Sequence, residues 1–350
     1  MLLSYSIINP LTLVEVERHL SHTGEVLVEE NETVEPYQVV AEAQEMPEFR
    51  IVNVARVLNL PPKRVKKMLR VSVGDTVEEN QRLASRGGLG GHVCRAPFAG
   101  TITGYGRGRL LLEAQPAKTQ LQALVPGTVV RVWSGEGVMI QTHGALIQAA
   151  WGNDRETYGV LSLVVRAPHH PLRARRLDAS AQGSIVVGGL SLDDEVLDQA
   201  IDMQVRGIIV GSISPDMLPR LREIEIPVLA TEGIGDIPMS EAAFDLLRSL
   251  DGREAALSAL TPDWQTDQRP YITIPMPAKS GTSVDPQAPL DIGDRVRALR
   301  NPYSGMTGEI TDLPSGLIRV ETGARLPGAY VDFGEDEPAF VPFANLERIL

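Results

Sequence analysis

The spacing of apolar and polar positions changes character along the chain, and each change predicts a different kind of element. In the opening stretch, MLLSYSIINPLTLVEVERHL, Glu15 and Glu17 break the apolar run, which predicts a strand-rich start rather than a leader or a bilayer span. Two later stretches 43 residues apart, TVEPYQVVA from Thr33 and TVEENQRLA from Thr76, are identical at five of nine positions. Each follows a strand. Gly74 and Asp75 form a turn before the second copy, where glycine tolerates the positive φ of a tight hairpin, and Asn31 takes that place before the first. A weaker pair, GTITGYGRGRLLLEA from Gly100 and GTVVRVWSGEGVMIQT from Gly127, reads each time as strand, Gly-containing turn and return strand. Four such hairpins predict one closed β structure within a β-rich domain at 1–166.

From Gly183 the period lengthens. SIVVGG, GIIVGS and IPVLATEG read as buried strands, alternating with helices over SLDDEVLDQAIDMQV, capped by Ser191, over SPDMLPRLREIE, capped by Ser214, and over SEAAFDLLRSLDGREAALSAL. Strands alternating with helices predict parallel pairing and a small three-layer α/β domain at 183–260. A segment at 261–289 carries six prolines and reads as a linker, with YITIPMP as a possible edge strand. From 290 to 350 short strands recur between polar turns (RVRAL, GEITDL, LIRVE, AYVDF, AFVPF), the pattern of a small barrel. The fold class expected is therefore a multidomain α+β chain.

Composition narrows the chemistry. Hydrophobic residues at 43% and charged residues at 22% are ordinary for a soluble globular protein. A single cysteine, Cys94, leaves no intrachain disulfide, no Cys-rich zinc site and no cysteine-ligated iron–sulfur cluster, which fits a reducing cytoplasm. The net charge of −12 is unevenly spread: residues 1–49 hold 1 basic and 10 acidic side chains (−9), and residues 50–118 hold 13 and 4 (+9). Any polyanion or acidic partner is expected at the second segment, whose basic side chains otherwise form a solvated face or pair with the acidic first segment. Its densest run, LNLPPKRVKKMLRV, places Lys63, Arg64, Lys66, Lys67 and Arg70 on a helix opened by Pro61 and Pro62, with Val65, Met68 and Leu69 on its packed side.

The valine–spacer–Gly-Asp pattern, followed by TVEENQRLA and VCRAPFAGTI, resembles the barrel-sandwich hybrid, or hammerhead, of the biotinyl and lipoyl domain family, over roughly residues 20 to 115. That resemblance implies a cofactor-bearing lysine at a hairpin tip, but the tips SRGGLGGHVCRAP and EAQEMPEF contain none, so no cofactor is expected. IGDRVRALRNPYSGMTGEI resembles the KOW motif of NusG-type transcription factors and ribosomal proteins, and VPFANLERI the closing turn of SH3-like barrels. The motif implies contact with RNA or with the transcription and translation machinery, for which Arg295, Arg297 and Arg300 form a local basic strip. The module's own charge of −4, from 6 basic and 10 acidic residues at 291–350, favours protein docking.

Other chemistry is thinner. RGGLGG, with Gly87, Gly88, Gly90 and Gly91, could cradle phosphate through backbone N–H groups, but a strand follows it where such loops feed a helix. At the ends of the parallel strands, TEGIGD offers Glu232 and Asp236 as acid, base or Mg²⁺ ligands, without a lysine, histidine or cysteine beside them. His169 and His170 adjoin prolines and point apart; His19 and His22 could share a helix face without a third ligand; no metal site is expected. The reading is a non-enzymatic cytoplasmic binding or scaffold protein without membrane insertion, docking to a protein or ribonucleoprotein. The rivals are a factor for RNA, ribosome or RNA polymerase, and an enzyme using TEGIGD.

Overall fold

A computed structural model describes residues 4–45, 47–87, 91–114, 118–261, 269–277, 289–303, 305–334 and 337–349. The fold is strand-rich, with several sheets and few helices, and its two longest helices among the described residues run only nine residues each. None of the helices among these residues is long and apolar enough to cross a membrane.

Two twelve-residue strands, Ile8–His19 and Gly137–Gln148, run antiparallel along almost their whole length. The other edge of Gly137–Gln148 is shared. Its first half pairs with Gly127–Trp133, and its second half, from Gly144, pairs with Tyr271–Pro275. The sheet continues from Tyr271–Pro275 through Glu254–Ser258 and Glu156–Leu163 into three parallel strands, Ser184–Val187, Gly207–Ile213 and Val228–Ile234. It therefore crosses the boundary expected at 166–183. Tyr271–Pro275, expected at an edge, stands inside the sheet; its own proline lies at its last position, opposite Gly144, where the ladder ends.

Alternation decides which layer each residue enters. Ile185 and Val187 face helix Glu241–Ser249, through Ala243, Phe244 and Leu247, whereas Val186 faces helix Asp194–Asp202, through Val196, Leu197 and Ala200. Burying a side chain such as Phe244 contributes about 1.5–3 kcal/mol. The first helix is capped by Asp193, which accepts from the Val196 N–H at 3.0 Å, two residues after the expected Ser191. The segment after Ser214 begins as a 3₁₀ turn, Pro215–Met217, before the α-helix Leu218–Glu223.

The repeats identified in the sequence form two units, one nested inside the other, where a single closed structure was expected. In the outer unit Thr33–Val34 pairs with Gly127–Thr128; in the inner unit Thr76–Val77 pairs with Gly100–Thr101. The equivalence extends to detail. Asn31 (φ 70°) donates to the Val129 carbonyl, and Gly74 (φ 100°) to that of Ile102, both at 2.7 Å. A bulge follows Val129 in one unit and Ile102 in the other. A Cβ on Gly127 would lie 2.4 Å from the Gln141 carbonyl oxygen, and one on Gly100 2.2 Å from that of Glu113, so both return strands need glycine opposite them. The outer hairpin, Val39–Gln44 against Lys118–Gln122, matches the inner hairpin, Arg82–Arg86 against His92–Arg95. Where the inner hairpin has its glycine-rich tip, the outer one carries the whole inner unit. Each has its own core: Val14, Val34, Val129 and Ile140 among the outer residues, Val54, Leu83, Ile102 and Leu112 among the inner.

The C-terminal strands form a sheet in the order Ser4–Ser6, Leu346–Ile349, Arg295–Ala298, Thr307–Asp312, Gly328–Asp332, Ala339–Pro342, over a core of Val296, Ile310, Val331 and Leu346. Ser4–Ser6 runs parallel to Glu347–Ile349, so the start of the chain continues this sheet before entering the long one.

Candidate functional site

The inner unit brings most of the basic residues together. Asn53 caps the short helix Val54–Val57 by accepting from the Arg56 N–H at 3.1 Å. After Pro61 the chain makes one helical turn, Pro62–Val65, and a 3₁₀ turn, Lys66–Met68, instead of the longer amphipathic helix expected. Val65 is buried, but Met68 is 36% exposed, because the chain leaves helical geometry at Leu69 to bridge Ala84. Lys63, Arg64, Lys66, Lys67 and Arg70 are all exposed, and no ion-pair partner for any of them occurs among the described residues.

Three further arginines join them. The hairpin between Gly100–Gly106 and Arg109–Ala114 docks its turn on this segment: Ala55 N–H donates to the Gly108 carbonyl at 2.9 Å, and a Cβ on Gly108 would lie 3.1 Å from Pro62 Cα. Arg56, Arg107 and Arg109 thereby line a shallow groove beside Pro61 and Pro62. Arg56 lies seven residues before Lys63, but nothing in the local sequence marks Arg107 and Arg109, since their hairpin lies some 45 residues downstream; their only signal was the basic excess of residues 50–118 as a whole. Arg86 is spent on structure, donating to the Asn59 carbonyl at 2.8 Å and so tying the hairpin to the short helix. Of the glycine-rich loop, Gly87 (φ 90°) and Gly91 are its described ends, and Gly88 and Gly90 lie outside the described residues.

The basic strip of the C-terminal sheet is divided. Arg295 and Arg300 are exposed, Arg295 in a groove with Glu309 and Asp332. Arg297 is buried and corrects the expectation of a continuous strip. Its Nε donates to Glu347 Oε2 at 3.0 Å, and its two terminal nitrogens bond Glu347 and Glu232. Burial alone would push the guanidinium down, but the carboxylates of Glu232 and Glu347 hold it above its ordinary value.

Glu232 is thereby engaged on both oxygens, since Oε1 accepts from the Ser240 N–H at 2.9 Å. Asp236 is exposed. The crevice at the parallel strand ends is filled by the chain: a Cβ on Gly189 would lie 2.5 Å from the His170 carbonyl oxygen, and one on Gly211 2.4 Å from the Met239 nitrogen. TEGIGD thus fastens the C-terminal sheet to the α/β layers. Cys94 is buried in the inner core, where desolvation pushes its thiol up. His19 ends a strand, not a helix, with its ring 4.7 Å from that of Trp133. Among the described residues no group of three or more His, Cys, Asp and Glu could hold a metal ion.

Neither a protein-family model nor a curated protein matches the chain. The functional reading rests on the geometry.

Proposed function

We propose that the protein is a non-enzymatic cytoplasmic adaptor that docks to an acidic surface of a partner protein through the inner unit. In this reading the nested units are both barrel-sandwich hybrids of the biotinyl and lipoyl type, the middle is a three-layer α/β domain, and the last sheet is a KOW or SH3-like barrel. The observation that carries it is the set of five exposed basic side chains without ion-pair partners, on a body of net charge +9 with its own core. A solvated charge gains little from remaining unpaired, but a cluster of one sign attracts its opposite over about a Debye length, 8 to 10 Å, and speeds encounter. The hairpin tips argue against a carrier role. The inner tip has no lysine, and the outer tip is occupied by a folded unit.

The test is affinity capture from the source cells with the intact chain and with the triple reversal Lys63→Glu, Lys66→Glu, Lys67→Glu. A protein bound by the first and lost with the second supports the adaptor. Identical captures overturn it.

A second reading, RNA binding, is favoured by Arg56, Arg107 and Arg109, which extend the basic surface along a groove. Titration with labelled single-stranded RNA at several salt concentrations separates the two. Each phosphate contact contributes roughly 0.7 to the slope of log affinity against log salt, so the reversal would flatten that slope by about 2.

A further inference from the structure

Four strands of the long sheet place Gln148, Tyr271, Ser258 and Glu156 directly opposite one another, in register across three successive ladders. Adjacent strands lie about 4.8 Å apart, so this polar row spans roughly 14 Å on one face of the sheet. One pleat further along that face the row reads Leu146, Thr273, Ala256 and Tyr158, where the apolar core of the outer unit begins. Over the polar row opens a cleft of about 330 Å³, walled by Val14, Val16 and Leu260. This is the lower end of the range for small-molecule sites.

Arg18 reaches the row from the far end of its own strand. Its Nη1 donates to Glu156 Oε1 at 2.8 Å and its Nε to the Gln122 carbonyl at 2.9 Å. Ser258 Oγ donates to the same carboxylate oxygen at 2.8 Å. That pair suffices to close the strands on each other, and it leaves other groups over. Glu156 Oε2 has no partner among the described residues, and neither has the amide nitrogen of Gln148, whose oxygen accepts from the Ile7 N–H at 3.3 Å. Thr273, one pleat further along and outside the cleft lining, is fully buried with a hydroxyl that has no partner among the described residues. Desolvation, reinforced by the charge of Glu156 and opposed by Arg18 and a hydrogen bond with Ser258, pushes the Tyr271 phenol up, so it meets the cleft as a neutral hydroxyl.

The ligand class follows from this inventory. On the floor Arg18 and Glu156 neutralise each other; at the rim Arg269 pairs with Glu347 and the exposed Glu15 and Glu17 stay solvated, so the floor itself offers an ion no net charge to offset its desolvation, which costs far more than that of a hydroxyl. What the floor does offer is an acceptor oxygen and two neutral donors, spread at strand spacing beneath apolar walls. A hydroxyl group can donate or accept, and a compact molecule bearing several of them satisfies such a row while its C–H faces meet the walls. We propose that the cleft binds a neutral polyhydroxylated molecule of mono- or disaccharide size.

The intact chain with ¹³C-labelled methyl groups carries its own reporters, Met139, Leu146 and Leu260, around the cleft. Glucose and maltose would be titrated against them, beside glucose 6-phosphate and gluconate as charged counterparts. Saturable shifts of these methyl signals by a neutral sugar are expected, with Tyr271→Phe weakening binding about tenfold while leaving methyl signals elsewhere in place. Gln148→Leu provides an independent second variant, whereas Glu156→Gln would strand Arg18 and is avoided. The proposal is overturned if neither sugar shifts the cleft signals at tens of millimolar, if the charged compounds bind more tightly, or if both variants bind as the parent does. Any of these outcomes leaves the adaptor reading untouched.

Discussion

Thr33–Val34 against Gly127–Thr128 and Thr76–Val77 against Gly100–Thr101 are the same ladder built twice, yet the strands that follow them differ in what they join. In the inner unit the return strand Arg109–Ala114 spans six residues and, among the described residues, pairs outward only with Phe49–Val52, whose Phe49 and Ile51 stay largely exposed. In the outer unit the return strand Gly137–Gln148 is twice as long, and its second half belongs to the α/β layers. Six extra residues thus separate a unit absorbed into a large sheet from one that hangs from it. The same fold element is a foundation in one place and an appendage in the other.

The sharpest test of that difference is a paired substitution. Gly127→Val and Gly100→Val each force a Cβ into a partner carbonyl and are expected to cost more than about 3 kcal/mol. Amide hydrogen exchange should show Gly127→Val removing protection from the outer unit and the α/β strands together, and Gly100→Val from the inner unit alone. Equal spread of both effects would mean that the units unfold as one.

The C-terminal sheet offers a third mode of attachment, by buried charge. Arg297→Met would leave Glu232 without its cation and Glu347 with only the more distant Arg269 at 3.9 Å, at a cost of about 3–5 kcal/mol. A calorimetric scan should then show the C-terminal sheet melting ahead of the rest. An unchanged single transition would demote the cluster to a minor contact.

Smaller effects probe the equivalence of the two turns. Gly74→Ala and Asn31→Ala each place alanine in the left-handed region, for about 1 kcal/mol apiece. Denaturant midpoints shifting by clearly unequal amounts would break the equivalence. Least of all, the triple reversal at Lys63, Lys66 and Lys67 should change stability by under about 1 kcal/mol, since these side chains are exposed and unpaired. A large loss of stability would show that they balance the acidic first segment, and would remove the reason to assign them a partner.

The elements of this fold are readable where a cause is local. The repeat, the left-handed positions at Asn31 and Gly74, the strand–helix alternation after Gly183 and the short C-terminal strands all follow from neighbouring residues. Gly305 takes a left-handed φ of 82°, and a Cβ on Gly308 would lie 2.3 Å from the Asp332 carbonyl oxygen, so both positions of the motif IGDRVRALRNPYSGMTGEI need glycine for local reasons. Nesting was not readable, because periodicity specifies a strand and its faces but not which strand lies beside it. Arg297 belongs to the same class of miss. It lies on a short strand between exposed Arg295 and Arg300, and its burial depends on two carboxylates remote in sequence, Glu347 and Glu232, 50 and 65 residues away. The polar row of Gln148, Tyr271, Ser258 and Glu156 is assembled from four strands scattered between 137 and 275, so no window of sequence contains it.

The nesting also sets an order of events during synthesis. Thr76 meets Thr101 after 25 further residues, whereas Thr33 must wait 95 residues for Thr128. At about 5 to 20 residues per second, the inner unit has its full chain outside the ribosome several seconds before the outer unit can close around its stem. During that interval the strand Thr33–Val34 is without its partner, and the folded inner unit stands between the two halves of the outer one. Of the pairings described, Ser4–Ser6 waits longest, because Ser4 meets its partner Glu347 only 343 residues later. A nascent chain stalled after the inner unit has emerged and before Thr128 has would expose the basic face to a partner before the rest of the protein exists.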